Sequence, residues 1–272
     1  MDILEEIRRA LVKNEALSKD FKYKIFEFVL RFHEMYPYVS LDNFKERVST
    51  VTFDRIGPYE KRGTFVYEPQ NNKVLYNTKK LKEEDYDIDN LLMKAIVAMV
   101  SSTDTYYGFN KDEKLNALNK AVTEMIASSV VGNEGICDYE EEIVCANLIS
   151  KLIGVDTLIE AYFNNNADLV LKKMIELEVW IMSRFEKFMD KLDYCMRCKE
   201  SGNYPDKEYA ELLSEFGNTY GQKLDGQAKS EFEEYIPVSS RFFSLSNENI
   251  QIHEPLVNVD TYEEVQGRRL AA

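Results

Sequence analysis

The chain has 272 residues and sets 34 Lys+Arg against 48 Asp+Glu, a formal charge of −14 with a sequence pI of 4.8. That charge opposes a phosphate backbone, and no basic patch offsets it: Lys79, Lys80 and Lys82 run straight into Glu83, Glu84 and Asp85. Nucleic acid is therefore not an expected partner. Gly and Pro together number 11 and 6, roughly half the usual share, which points away from a turn-rich β sandwich.

The opening Met1–Glu6 lacks the basic and apolar regions of a secretory leader. The longest nearly apolar run, Leu91–Val100, is too short to span a bilayer. The expectation is a cytoplasmic protein with free thiols and no membrane contact.

In chain order, residues 3–14 read as a short helix with Ile3, Ile7 and Leu11 on one side. Residues 19–36 read as a stronger one, because Phe21, Ile25, Phe28, Phe32 and Met35 recur at +4, +3, +4 and +3. Pro37 supports a stop there. A third short helix is expected from Asp42 to Val48. The pattern then changes. Val51–Phe53 is β-branched and aromatic, and Gly63–Tyr67 and Lys73–Asn77 flank Pro69-Gln70-Asn71-Asn72, the signature of a hairpin with a four-residue turn.

Helices dominate after residue 88. Leu91–Ser102 is apolar almost all round and should be buried. Lys114–Val131, Tyr139–Ile153 with Gly154 as its stop, Thr157–Phe163 capped by Asp156, Asp168–Cys198, and 206–223 read as five more. The long Asp168–Cys198 helix has an inner stripe of Leu171, Met174, Ile175, Met182, Phe185, Met189 and Leu192, and Ser201-Gly202-Asn203 ends it. Ile236–Ile252 reads as extended, followed by a mobile tail. The fold class is α+β and mostly helical. Its parts are N-terminal helices over 1–50, a core over 51–163, helices over 168–225, and the extended segment and tail over 226–272.

The order of the central stretch is informative. A hairpin ends near Asn77. The buried helix Leu91-Leu92-Met93-Lys94-Ala95-Ile96-Val97-Ala98-Met99 follows, then Tyr106-Tyr107-Gly108-Phe109. A second helix then carries Leu118-Asn119-Lys120-Ala121-Val122-Thr123-Glu124. This order resembles the zincin-type metallopeptidases of the gluzincin kind in Firmicutes-type bacteria. In that family a strand precedes a helix bearing H-E-x-x-H, and a later helix bears N-E-x-x-T-E, whose first Glu is the third zinc ligand.

The resemblance implies a zincin-like body, and the departures from it imply a dead site. Aligned on the framing residues, Lys94 takes the first His, Ala95 the catalytic Glu, Ala98 the second His and Lys120 the ligand Glu, while Asn119, Thr123 and Glu124 persist. Zinc needs imidazole, thiolate or carboxylate donors. An ammonium has no lone pair at pH 7 and alanine has no donor at all. No metal, no other cofactor and no zinc-hydroxide chemistry is expected. The implied role is that of a non-catalytic pseudo-metallopeptidase. It would bind a peptide or protein by strand addition along a cleft edge made by Phe65, Tyr67, Leu75 and Tyr76. A helical scaffold unrelated to peptidases is the alternative. A third reading is an enzyme with Tyr106, Tyr107 and Glu124 as its polar groups, for which no nucleophile–base pair can be named.

Lys94 stands out without any family. A lone ammonium in an apolar helix must snorkel to solvent or find a counter-charge. One such pairing brings Lys94 and Lys120 to the vacated metal position, with Glu124 or a bound anion as partner. The bland reading of Lys120 and Glu124, four residues apart, is a surface ion pair.

Other motifs carry less. Cys195-Met196-Arg197-Cys198 is a C-x-x-C inside a predicted helix, without the preceding strand of a thioredoxin-like site, and Cys137 and Cys145 are spaced by eight. Structural thiols are the reading. His33 falls at a helix end, next to the C-terminal dipole, and His253 lies in the extended region. No phosphate loop and no nucleophile elbow occurs. The ending Leu270-Ala271-Ala272 is similar to bacterial degradation tags, although chance accounts for three residues as well.

Overall fold

A computed structural model of the protein describes residues 2–56, 64–78, 88–111, 115–132, 138–177, 184–220 and 223. The amphipathic N-terminus folds as it reads. Helix α1 (Ile3–Lys13) starts where Asp2 accepts the Leu4 amide, and α2 (Lys19–Met35) starts where Ser18 accepts the Phe21 amide. Each cap satisfies one of the amides that a helix start leaves unpaired. Ile25, Phe28, Val29 and Phe32 of α2 are buried. Helix α3 (Asp42–Val48) follows, and the buried Asn14 amide clamps its end by donating to the carbonyls of Val48 and Val51 at 2.9 Å each.

Three short strands come next: β1 (Thr52–Arg55), β2 (Phe65–Glu68) and β3 (Lys73–Tyr76). β2 and β3 form the expected hairpin around a single turn of 3₁₀ helix, Pro69–Asn71. Asn72 closes that turn in the left-handed region, at φ 47°. Its side chain holds the conformation by donating to the Arg47 carbonyl (2.7 Å) and Thr50 Oγ1 (2.8 Å) and accepting from the Tyr67 hydroxyl (2.9 Å).

The sheet order is β1-β3-β2, with β1 parallel and β2 antiparallel to β3. One expectation is corrected by this order. Leu75 and Tyr76 lie on the central strand, whose two sides are both taken, so they form no edge. Tyr76 faces Phe65, and Tyr67 faces Val74.

The helical part is α4 (Ile88–Val100), α5 (Asn116–Val131), α6 (Glu140–Ile153), α7 (Val155–Phe163), α8 (Ala167–Leu177), α9 (Arg184–Glu200) and α10 (Asp206–Tyr220). The chain is thus mostly helical α+β, with ten α-helices among the described residues. Helix α4 is buried from Asn90 to Val100, as its all-round apolar sequence requires. It packs along α5, which in turn packs along α6. Gly132 and Gly154 end α5 and α6 at φ 72° and 92°, values at which a side chain would be strained.

Asp156 does not cap α7. That helix begins at Val155, directly after Gly154, with no side-chain cap. The expected single helix over 168–198 appears as α8 and α9, with 178–183 outside the described residues. These two touch each other, whereas two ends seven residues apart on one straight helix stand about 10 Å apart. Of the predicted stripe, Met174, Phe185, Met189 and Leu192 are buried, Leu171 and Ile175 are half-buried, and Met182 lies outside the described residues. The extended segment, the tail and His253 lie outside them too.

Candidate functional site

The residues singled out by motif order sit along the contact of α4 with α5. Lys94 is 2% exposed and Glu124 0%. They form an ion pair across the two helices. Lys94 therefore does not snorkel to solvent; its helix is enclosed on every side, and the counter-charge comes from the neighbouring helix. One turn earlier on α4, the Asn90 amide donates to Glu124 Oε1 at 3.3 Å and to Ser128 Oγ at 3.4 Å. Burial pushes the Glu124 carboxyl above its ordinary range, while the Lys94 ammonium and the Asn90 amide act in the opposite direction. Ala95 and Ala98 are fully buried beside them.

Lys120 does not pair with Glu124 on its own helix. Its ammonium pairs with Glu200 at the end of α9 and lies 5.2 Å from the Tyr139 ring centroid. The Tyr139 hydroxyl also donates to Glu200, at 3.1 Å. The two lysines thus share one helix contact but answer to different acids. Tyr107 links the two pairs electrostatically: burial raises its phenol well up, with Tyr162 and Glu200 adding and Lys94 opposing.

Asn119 and Thr123 face a third neighbourhood. The Asn119 carbonyl accepts the Phe109 amide at 2.8 Å. A backbone N–H only donates, so this bond fixes the side-chain amide's orientation and leaves the buried Nδ2 without a hydrogen-bond partner. Thr123 bonds the Tyr162 hydroxyl at 2.7 Å, and burial pushes that phenol up to about 12. The loop above is held tightly. The Gly108 amide donates to the Ser101 carbonyl at 3.2 Å, and the Asn165 amide donates to both Ser101 and Gly108 carbonyls. A Cβ on Gly108 would lie 2.2 Å from Asn119 Oδ1 and 2.4 Å from Tyr162 Cε2, at φ 56°. Only glycine fits there.

The sheet contributes β2, the edge strand that touches α4. Phe65 and Tyr67 turn their side chains into the core. In the antiparallel ladder, Thr64 pairs with Asn77, Val66 with Leu75 and Glu68 with Lys73, so the backbone groups of Phe65 and Tyr67 point to the open side. Just before β2 begins, the Thr64 amide, on the side facing β3, donates to Asp138 Oδ2 at 3.3 Å. Asp138 is half-buried and sits within electrostatic reach of Glu124 and Tyr139. Motif reasoning missed Asp138, Tyr139 and Glu200, since nothing in their local sequence sets them apart from the other acids and tyrosines.

The residues at the motif positions do not suit zinc. The donor set is two ammonium groups and two methyls, with one carboxylate already bound to Lys94. Among the described residues no group of three or more His, Cys, Asp or Glu could hold a metal ion. Cys145, Cys195 and Cys198 are free thiols on α6 and α9, and burial pushes Cys195 up to about 11, which keeps it protonated and inert. Cys137 lies outside the described residues. His33 sits in the last turn of α2, as expected. Tyr106 serves the loop through its backbone carbonyl, which accepts from Thr103 at 2.7 Å.

A second polar group ties α6, α9 and α10. Lys199 pairs with Glu141 at 2.6 Å and Glu142 at 3.6 Å, while Tyr204 and Tyr209 donate to those same two acids. No described helix is long and apolar enough to cross a membrane. No family model matches the chain, and no curated protein or solved structure is significantly similar to it.

Proposed function

We propose that this protein is a non-catalytic binding module built on a degenerate zincin-like frame, and that it takes an extended peptide or protein segment along the free edge of β2. The observation that carries the reading is the Lys94–Glu124 ion pair, buried between the two helices that would hold a metal in a gluzincin. The ammonium is neutralised there by the carboxylate, so the pair offers neither a free positive charge nor Lewis acidity. The alanines at 95 and 98 remove the base and a ligand. The edge of β2 lies beside α4, and among the described residues no strand pairs with the side to which the Phe65 and Tyr67 backbone points, the side used in strand addition.

Restoring the motif tests this frame. The variant Lys94→His/Ala95→Glu/Ala98→His/Lys120→Glu is expected to bind one zinc per chain at roughly micromolar affinity or tighter, measured by calorimetry. The parent chain is expected to bind none at a defined stoichiometry. A restored variant that keeps its circular dichroism yet takes up no zinc would contradict the zincin-like frame and leave a helical scaffold in its place.

A further inference from the structure

The opening pair of helices carries the opposite charge from the rest of the chain. Residues 8–24 hold six Lys or Arg against two Asp or Glu, in a chain of −14. The end of α1 and the start of α2 form one surface there. Lys22 Nζ donates to the Val12 carbonyl at 3.2 Å, and Lys19 Nζ stands 5.8 Å from the Tyr23 ring centroid. Val12 is 71% exposed and Tyr23 65%. Arg8 and Arg9 share Glu5, and Lys24 pairs with Asp89. Lys13, Lys19 and Lys22 pair with no acid among the described residues. Glu15 and Asp20, the two acids of the stretch, are exposed and pair with none of the three.

Lysines beside exposed apolar groups complement a segment that sets acids beside aromatic rings. The chain holds such a segment. Residues 224–272 lie outside the described residues and carry nine Asp or Glu against four Lys or Arg. Within them, Glu231-Phe232-Glu233-Glu234-Tyr235 sets three carboxylates among two rings. These 49 residues can extend about 160 Å. A body of roughly 220 residues is about 45 Å across, so their length reaches every face of it.

We infer that residues 224–272 dock on the face shared by α1 and α2, with their carboxylates on Lys13, Lys19 and Lys22 and their rings over Val12 and Tyr23. The inference is independent of the strand-edge reading. Other occupants fit less well. A separate acidic protein has to displace a tethered segment, whose effective concentration is on the order of millimolar. A second copy brings −14 against −14, and a nucleic acid would extend past this face onto acidic surface.

The test uses the full chain, as an equal mixture of isotopically light and heavy protein. A water-soluble carbodiimide joins a carboxylate to an amine that touches it, and mass spectrometry of the digest locates each link. Lys172 and Lys187 are the internal reference, being exposed on α8 and α9 and also without an ion pair among the described residues. The expected result is links from Lys13, Lys19 and Lys22 to acids of 224–272 within one chain. They should be about fivefold more abundant than links from the reference pair, the preference that a few exposed charge pairs give. Links of equal abundance at the reference lysines reflect general attraction and overturn the inference. Links that join light chain to heavy chain put a second copy on the face and overturn it too. An absence of links at the three lysines also overturns it, and leaves the face to a separate acidic partner.

Discussion

A lysine in the middle of a helix that is apolar on every side needs a counter-charge to remain buried and charged, and Glu124 provides one. Removing either partner would take an opposite charge from the other in a medium that solvates ions poorly. Other residues nearby are constrained by shape. Gly108 holds a positive φ against Asn119 and Tyr162, so Gly108→Ala meets both backbone strain and a direct overlap with Asn119 Oδ1. Its cost is expected to be at least about 2 kcal/mol, from the left-handed backbone and the broken Asn119–Phe109 bond. In a chain of this size that lowers Tm by roughly 5 °C. A Gly108→Ala variant melting within a degree of the parent would show that the loop is not held as described.

At the scale of elements, long-range clamps set the geometry that local sequence cannot. The start of α5 has no local cap, and Leu115 stands there at φ 55°. The cap comes from α9 instead: Asp193 accepts the amides of Asn116 at 3.3 Å and Ala117 at 2.6 Å. Glu200 on the same helix reaches Lys120, so α9 fixes α5 at two points.

This explains which parts were legible beforehand. The boundaries of α1 to α3, the hairpin and the burial of α4 follow from periodicity and turn residues, which act within a few positions. The parallel pairing of β1 with β3 joins residues about twenty apart and leaves no trace in the local pattern. It moved Leu75 and Tyr76 from edge to centre. The α8–α9 division escaped for a related reason, since an apolar stripe runs through both. At the site, the sequence marked Lys94 and Glu124 as unusual. It paired Lys120 with Glu124 by spacing alone, because the i,i+4 rule carries no information about Glu200 on another helix.

For the whole molecule, charge is the governing quantity. Burial pushes the carboxyls of Glu124, Glu140, Glu142 and Asp193 above their ordinary range. An acid whose folded-state pKa exceeds its unfolded value binds more protons when folded, so stability falls as pH climbs from about 4.5 through the raised values. Self-repulsion at −14 acts in the same direction. The urea midpoint is therefore expected to be higher at pH 5 than at pH 7; a midpoint that rises over that interval would contradict the assignment.

The central claim is that a buried charge pair occupies the place between α4 and α5, and a double-mutant cycle on it is the most direct test. Lys94→Met and Glu124→Leu, each alone, are expected to cost about 3–5 kcal/mol in urea unfolding, since each takes an opposite charge away from a buried ion. The double variant is expected to be more stable than either single one. Single variants that each cost less than about 1 kcal/mol and add without coupling would contradict it.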